Sequence, residues 1–314
     1  MPLGHRDPGP RVAFRIGVTR MNLKSLSLVA AVLALSGPAG AATANAVPGT
    51  VSGDGGNRVG TLRANGDAYA KEGGLGASWV LEHDNVKQIT LSGSRIGVLT
   101  GAGTAWVKEG GLSANWVREA DDVKQIALSG NRIGVLKDNG EAYVKEGGLS
   151  ASWVKEADKV KELELSGNRI GIVKGNGEAH VKEGGLSANW VKEADNVIGI
   201  DLAGNRIGVL NADGAAWAKE GGLSANWVRE ADDVIQLELS GNRIGVLKDN
   251  GDAYVKEGGL SANWVHEYTH AVQIALSGKR IGVLKGDGAA RVKEGGLSAS
   301  WVKEADNVTE LALS

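Results

Sequence analysis

Apolar and polar residues alternate along this chain in short bursts separated by glycine- and asparagine-rich breaks. In the stretch LSGNRIGVLKDNGEAYVKEGGLSASWVKEADKVKELE, from Leu128 to Glu164, the segments RIGVLK and EAYVKE are rich in β-branched and aromatic residues and flank Asn139-Gly140. Short runs of this kind bounded by turn formers predict strands, and Asn-Gly between them predicts a hairpin. A third strand is expected over SASWVKE, beyond the Gly147-Gly148 turn, and a fourth over VKELELS, beyond a polar break at ADK. The hairpin is expected to be of the tight kind in which both central residues take positive φ, which explains the glycine.

The pattern recurs. The arginines Arg58, Arg95, Arg132, Arg169, Arg206, Arg243 and Arg280 follow one another at intervals of 37 residues, as do Trp79, Trp116, Trp153, Trp190, Trp227, Trp264 and Trp301. The KEGG string keeps the same step, beginning at Lys71, Lys108, Lys145, Lys182, Lys219, Lys256 and Lys293. No insertion interrupts the register, and residues 56–314 amount to seven units. A period of this size marks units that bury their apolar faces only against neighbours. Four short antiparallel strands per unit, used seven times, predict an all-β fold, a seven-bladed β-propeller.

Two competitors fall to the same pattern. ELELSGNRIGIV, from Glu162 to Val173, mimics a leucine-rich repeat, but those repeats run about 20–29 residues and lack a Trp-bearing hairpin half. An open β-solenoid calls for distinct polar caps. Here the sequence stops at VTELALS, the strand that elsewhere precedes GNRIG, whereas the first unit starts at Gly56-Asn57-Arg58 without a copy of it. The last strand is therefore expected to complete the first sheet and close the ring.

Composition adds a compartment. From Met21 the chain reads MNLK, an apolar run SLSLVAAVLALSG and the small-residue stretch PAGAATANA, the three regions of a secretory signal peptide. Residues 1–20 then read as an upstream start-site extension, 21–46 as the leader, 47–55 as a short linker and 56–314 as the propeller. The apolar run is short for a membrane span, and none is expected after cleavage. The protein has no Cys, so an exported form relies on packing alone. Removing residues 1–46 takes five basic residues and one acidic one from totals of 35 and 37, leaving 30 and 36 and a net charge of −6. That balance argues against nucleic acid as a partner.

The string HEYTH, from His266 to His270, has the His-Glu-x-x-His spacing of zinc peptidases, which needs a helix to set both imidazoles on one face. Its register says otherwise. Glu267 is the Glu present in every unit, and the six sister copies read as strand then turn, so the histidines are expected too far apart for one metal. No cofactor or metal is expected, and no Ser-His-Asp or Cys nucleophile pattern stands out; the chain reads as non-enzymatic. DNGE and DNGD resemble calcium loops, but Asn-Gly hairpins account for them.

The stretch WVKEADNVIGIDLAGNRIGVLNADGAAW, from Trp190 to Trp217, resembles the tectonin-type β-propeller family, with a Trp, a hydrophobic strand ending near Gly and a hairpin with an Asp/Asn-Gly turn. The resemblance covers the whole array and implies a propeller used for recognition, often of glycans. One departure is that the family's second strand tends to carry Trp where this chain has Ile-Gly, so glycan contacts do not carry over there.

Two sets of residues are candidates for binding. The third residue after the hairpin glycine is Tyr69, Trp106, Tyr143, His180, Trp217, Tyr254 or Arg291, each with a flat face able to stack on a sugar or a ring. The seven-fold Trp either fills wedges between blades or edges a shallow pocket. Such a pocket would add the preceding Asn115, Asn189, Asn226 or Asn263 (Ser78, Ser152 or Ser300 elsewhere) and the Lys-Glu pair of KEGG, such as Lys145 and Glu146. Seven weak sites would gain from multivalency. The leading expectation is thus a secreted, lectin-like propeller binding a glycan or polysaccharide; the alternative is a platform for another protein. The recurring Arg, Lys and Glu are otherwise expected as surface charge, and the Gly of RIG as a close approach near the crowded axis.

Overall fold

Each unit folds as its apolar pattern dictates, into four antiparallel strands. In the blade beginning at Val123 these are Val123–Ser129, Arg132–Lys137, Ala142–Glu146 and Val154–Ala157, running from the axis outward. The computed structural model describes residues 57–314, so the expected upstream extension, leader and linker lie outside the described residues. It contains seven such four-stranded sheets and, among the described residues, no helix. We number the blades 2 to 7 from their first residues Val86, Val123, Val160, Val197, Val234 and Ala271. Blade 1 takes its inner strand from the C-terminus: Val308–Leu313 pairs with Arg58–Arg63, as the ends of the repeat array predict. The inner strands touch one another in a closed circuit, which makes the molecule a seven-bladed propeller.

The hairpin departs from expectation in a small way. Gly140 takes φ 84° but Asn139 does not share a positive φ. Gly140 N donates to Lys137 O at 2.9 Å and Lys137 N to Glu141 O at 2.8 Å, a three-residue loop in which a type I turn precedes a left-handed glycine. Positive φ at non-glycine positions falls instead at Asn85, Asp122, Lys159, Asn196, Asp233, His270 and Asn307, in the two-residue crossings from one blade's outer strand to the next blade's inner strand. Asn and Asp tolerate this conformation best. The Trp also stands one place before the outer strand, not within it.

Blade-to-blade packing holds the ring. Each junction buries apolar residues from two blades; Leu99, Ala105 and Val107 of blade 2 meet Val123, Ile126, Leu128, Ile133 and Val135 of blade 3. The Gly of RIG faces this junction and not the axis. A Cβ on Gly134 would lie 2.8 Å from a methyl of Leu163 and 3.2 Å from one of Leu165, both on the inner strand of blade 4. Glycine is needed there because the next blade's leucines occupy the space of a side chain.

The repeated charges are not a solvated coat. The KEGG lysine forms an ion pair with a Glu of the preceding blade in all seven junctions: Lys71 with Glu304, Lys108 with Glu82, Lys145 with Glu119, Lys182 with Glu156, Lys219 with Glu193, Lys256 with Glu230 and Lys293 with Glu267. In the Lys145–Glu119 pair both side chains are only 2% exposed. The RIG arginine, also buried, grips the KEGG glutamate of its own blade at 2.9–3.1 Å. It donates as well to a glycine carbonyl of the following blade, as Arg95 does to Gly147. Surface charge was the wrong expectation because a wedge-shaped junction leaves room for long side chains, whose stems pack while their heads find partners.

Two stability tests follow from this packing. Lys145→Met leaves Glu119 buried and unpaired and should cost about 3–5 kcal/mol, whereas the double variant Lys145→Met/Glu119→Leu should recover most of that loss. Gly134→Ala should cost about 1–3 kcal/mol through overpacking against Leu163. Urea unfolding of the single and double variants measures both; a double variant no more stable than the single one would refute the pairing argument.

Candidate binding grooves at the blade junctions

The loop after KEGG sets each tryptophan. Gly147, at φ 118°, lets the chain reverse, and Ala151 N donates to Gly148 O at 3.0 Å, closing a tight turn that brings Trp153 back over the third strand. Lys145 donates to Leu149 O and fixes that turn from beneath. Its ammonium lies 5.0 Å from the centre of the Trp153 ring, and the same lysine–indole stack recurs in every blade at 5.0–5.2 Å.

The two candidate sets come together. Trp106 and Trp116 pack on the core between blades 1 and 2, Tyr143 and Trp153 between 2 and 3, Trp217 and Trp227 between 4 and 5, and Tyr254 and Trp264 between 5 and 6. Tyr69 and Trp79 line one groove between blades 7 and 1, and His180 and Trp190 another between 3 and 4. Trp301 packs between blades 6 and 7 beside Tyr268. All of these rings are half-buried, so each both wedges the junction and presents an edge. Asn115, Asn189, Asn226 and Asn263 are exposed beside them.

Lys145 and Glu146 stand differently. Lys145 is spent on Glu119, and the Glu146 carboxylate on Arg132. The polar groups beside the flat side chains come instead from residues outside the two candidate sets. The second residue of the outer strand is Arg118, Lys155, Lys192, Arg229, His266 or Lys303 in blades 2 to 7, and each meets an acid of its own blade. Lys155, Asn139 and Tyr143 hold the Glu141 carboxyl down at about 2, and Lys192, Asn176 and His180 do the same for Glu178. The signal was present two residues after the Trp in blades 2 to 7, where a basic residue repeats. The groove between blades 3 and 4 encloses about 790 Å³, with Glu156, Lys174, Glu178, His180 and Trp190 among its lining; that between blades 7 and 1 encloses about 480 Å³.

The HEYTH string lies on strand and turn. His266 is on the outer strand of blade 6, its Nε2 3.3 Å from Asp252 Oδ1 and its ring 5.0 Å from that of Tyr254. Glu267 pairs with Lys293, and His270 occupies the left-handed crossing. Among the described residues no group of three or more His, Cys, Asp or Glu is placed to hold a metal, and no helix is long and apolar enough to cross a membrane.

A second feature missed in the sequence surrounds the axis. Gln125 on one inner strand accepts from Leu163 N and donates to Leu163 O on the next, both at 3.0 Å, and Gln88, Gln236 and Gln273 bracket their neighbours likewise. Blades 4 and 1 carry Glu162 and Glu310 there, which accept from Ile200 N and Ile89 N. Two residues on, blades 4, 5 and 6 present Glu164, Asp201 and Glu238, all buried. Burial pushes Glu162, Asp201 and Glu310 up to about 8, and it drives Glu164 well above the usual carboxylate range, with Asp201 adding to the effect.

No protein-family model and no curated protein sequence matches the chain. Solved structures similar to it include PorZ, a surface component of the type-IX secretion system of Porphyromonas gingivalis, with TM-score 0.61 and 12% identity over 83% of this chain and 38% of PorZ. This chain thus spans well under half of PorZ. Human WBSCR16 superposes with TM-score 0.59 and 12% identity over 79% of this chain and 94% of that one. Prp20p of Saccharomyces cerevisiae, studied for its binding to Gsp1p and histones, gives TM-score 0.56 and 10% identity over 70% and 76%. At these identities the likeness is one of fold.

The axial acids set a pH test. Carboxyls with a folded pKa near 8 hold protons that the unfolded chain releases above about 4.5, so stability falls as pH rises between those values and levels off beyond. The melting temperature should drop from pH 5 to pH 9. In Glu162→Gln/Glu310→Gln, where an amide restores the bracket made by Gln125, the drop should be smaller and stability at pH 8 higher. An equal slope in both proteins would show that these carboxyls are not protonated in the fold.

Proposed function

We propose that this protein is an exported, non-enzymatic recognition propeller that binds carbohydrate multivalently in the grooves between its blades. The observation that carries the reading is the recurrence, at six of seven junctions, of two half-buried flat side chains from the candidate sets, with exposed Asn or Ser beside the Trp. An indole edge offers the apolar face of a sugar a stacking surface, and nearby amides and carboxylates take its hydroxyls. The half-buried wedge also limits the cost of binding, because packing beneath already fixes the ring. The resemblance of the units to tectonin-type repeats supports the same reading. The expected leader supports export.

A second reading, docking of a protein partner, draws on the fold neighbours: Prp20p is a propeller bound by Kap60, and its binding to Gsp1p and histones has been studied. A screen on a glycan array followed by calorimetry separates the two. The carbohydrate reading expects several equivalent weak sites per chain, and Trp190→Phe, which keeps the wedge but loses the indole N–H and part of the face, should weaken the affinity of the blade 3–4 groove by several-fold. An absence of binding across a broad array favours the docking platform.

A further inference from the structure

The junction that closes the ring differs from the others in how its positive charge is placed. In blades 2 to 7 the outer-strand basic residue meets an acid of its own hairpin or of the crossing that follows it. Blade 1 has Leu81 at that position, 53% exposed, and its basic groove residue is Arg63 on the second strand, a guanidinium where blades 3, 4, 6 and 7 carry the lysines Lys137, Lys174, Lys248 and Lys285. Arg63 Nη1 donates to the Asp306 carbonyl of the neighbouring crossing at 2.8 Å, and its guanidinium carbon lies 5.2 Å from the Tyr69 ring centre. Among the described residues it forms no ion pair: the Asp306 carboxylate pairs with Lys303, and that of Asp67, on the same hairpin, accepts from Asn65. Among the described residues Nε is buried with no partner, and Nη2 makes no bond.

The Nε/Nη2 edge is the one by which Arg58, Arg132 and their equivalents grip a glutamate oxygen. In Arg63 only Nη2 of that edge is open, and the groove beside it, lined by Arg63, Ala64, Asn65, Tyr69, Trp79 and Asn307, includes no carboxylate. A planar guanidinium already oriented by a backbone bond and a ring loses little freedom on gripping a carboxylate. Trp79 supplies the apolar wall and Asn307, exposed on the crossing, a hydroxyl partner.

We infer that the groove between blades 7 and 1 is a site for an acidic sugar, a uronic acid residue whose carboxylate sits on Nη2 of Arg63 while its ring stacks on Trp79. The inference rests on the carbohydrate reading above and narrows it: the closing junction takes an anionic sugar, while the outer-strand basic residues of the others already meet acids. A ligand there touches both blade 7 and blade 1, so it binds only the closed ring and should raise the melting temperature.

The test is calorimetry of the intact protein with a galacturonic acid oligomer, the matching neutral galactose oligomer and acetate. One uronate site per chain is expected, with affinity at least about tenfold weaker in Arg63→Thr, the residue that Thr100 provides in blade 2, and intermediate in Arg63→Lys. Neutral oligomer binding should be unchanged in both variants, which also shows that they fold. Uronate binding that is unaffected by Arg63→Thr, or that occurs at several equivalent sites, overturns the inference, and so does acetate binding as tightly as the uronate. Neutral binding without uronate binding sinks this inference alone; no sugar binding of either kind sinks the carbohydrate reading with it.

Discussion

Everything in this ring rests on a lysine with nowhere to go. The KEGG ammonium is sealed between an indole of its own blade and a carboxylate of the preceding one, as Lys145 is between Trp153 and Glu119. A buried ion pair of this kind contributes less to net stability than to geometry, because either partner alone is far worse than both together. The lysine can reach its glutamate only when the two sheets meet at one distance and one stagger. The same ammonium donates to the loop carbonyl that sets the Trp, so the blade junction and the groove above it are fixed by one group. The RIG arginine repeats the device farther in, with one edge on its own blade's glutamate and a further bond to the next blade's backbone.

Strand count, blade count and closure were legible in the sequence because they are periodic. An uninterrupted step of 37 residues and a terminal strand without a partner leave few alternatives. What escaped was the direction in which side chains face. Alternation along RIGVLK says that Arg132 and Gly134 share a side, but not that this side meets the next blade's leucines. Lys and Glu repeated seven times look like a soluble surface in one dimension; only the wedge between sheets turns them into internal partners. The turn was misjudged for a related reason, since Asn-Gly fits both a two-residue hairpin and the three-residue loop that the strands use.

The candidate grooves show the same division. The flat side chains after the hairpin and the seven tryptophans were visible as separate sets in the sequence, and folding makes them neighbours at most junctions. The basic residue two places after the Trp in blades 2 to 7 was expected as surface charge, yet it meets an acid of the hairpin or the crossing. Blade 1, where Leu81 takes that place, is also the blade assembled from both ends of the described chain. Its divergence is therefore concentrated at the one junction where the sequence of the array is not continuous.

The periodic junction has a consequence for how the molecule counts. Arg280 of blade 7 donates to Gly73 of blade 1 as Arg58 of blade 1 donates to Gly110 of blade 2, so the closing seam and the internal seams are chemically the same bond. The lysine and arginine contacts carry no label saying which blade they belong to. Seven is then specified by the number of units between the two halves of the composite sheet together with the taper of each wedge, not by any single interface. Such a chain can gain or lose a unit by recombination and still present a matched surface at every seam, which makes ring size, more than blade identity, the quantity open to evolutionary drift.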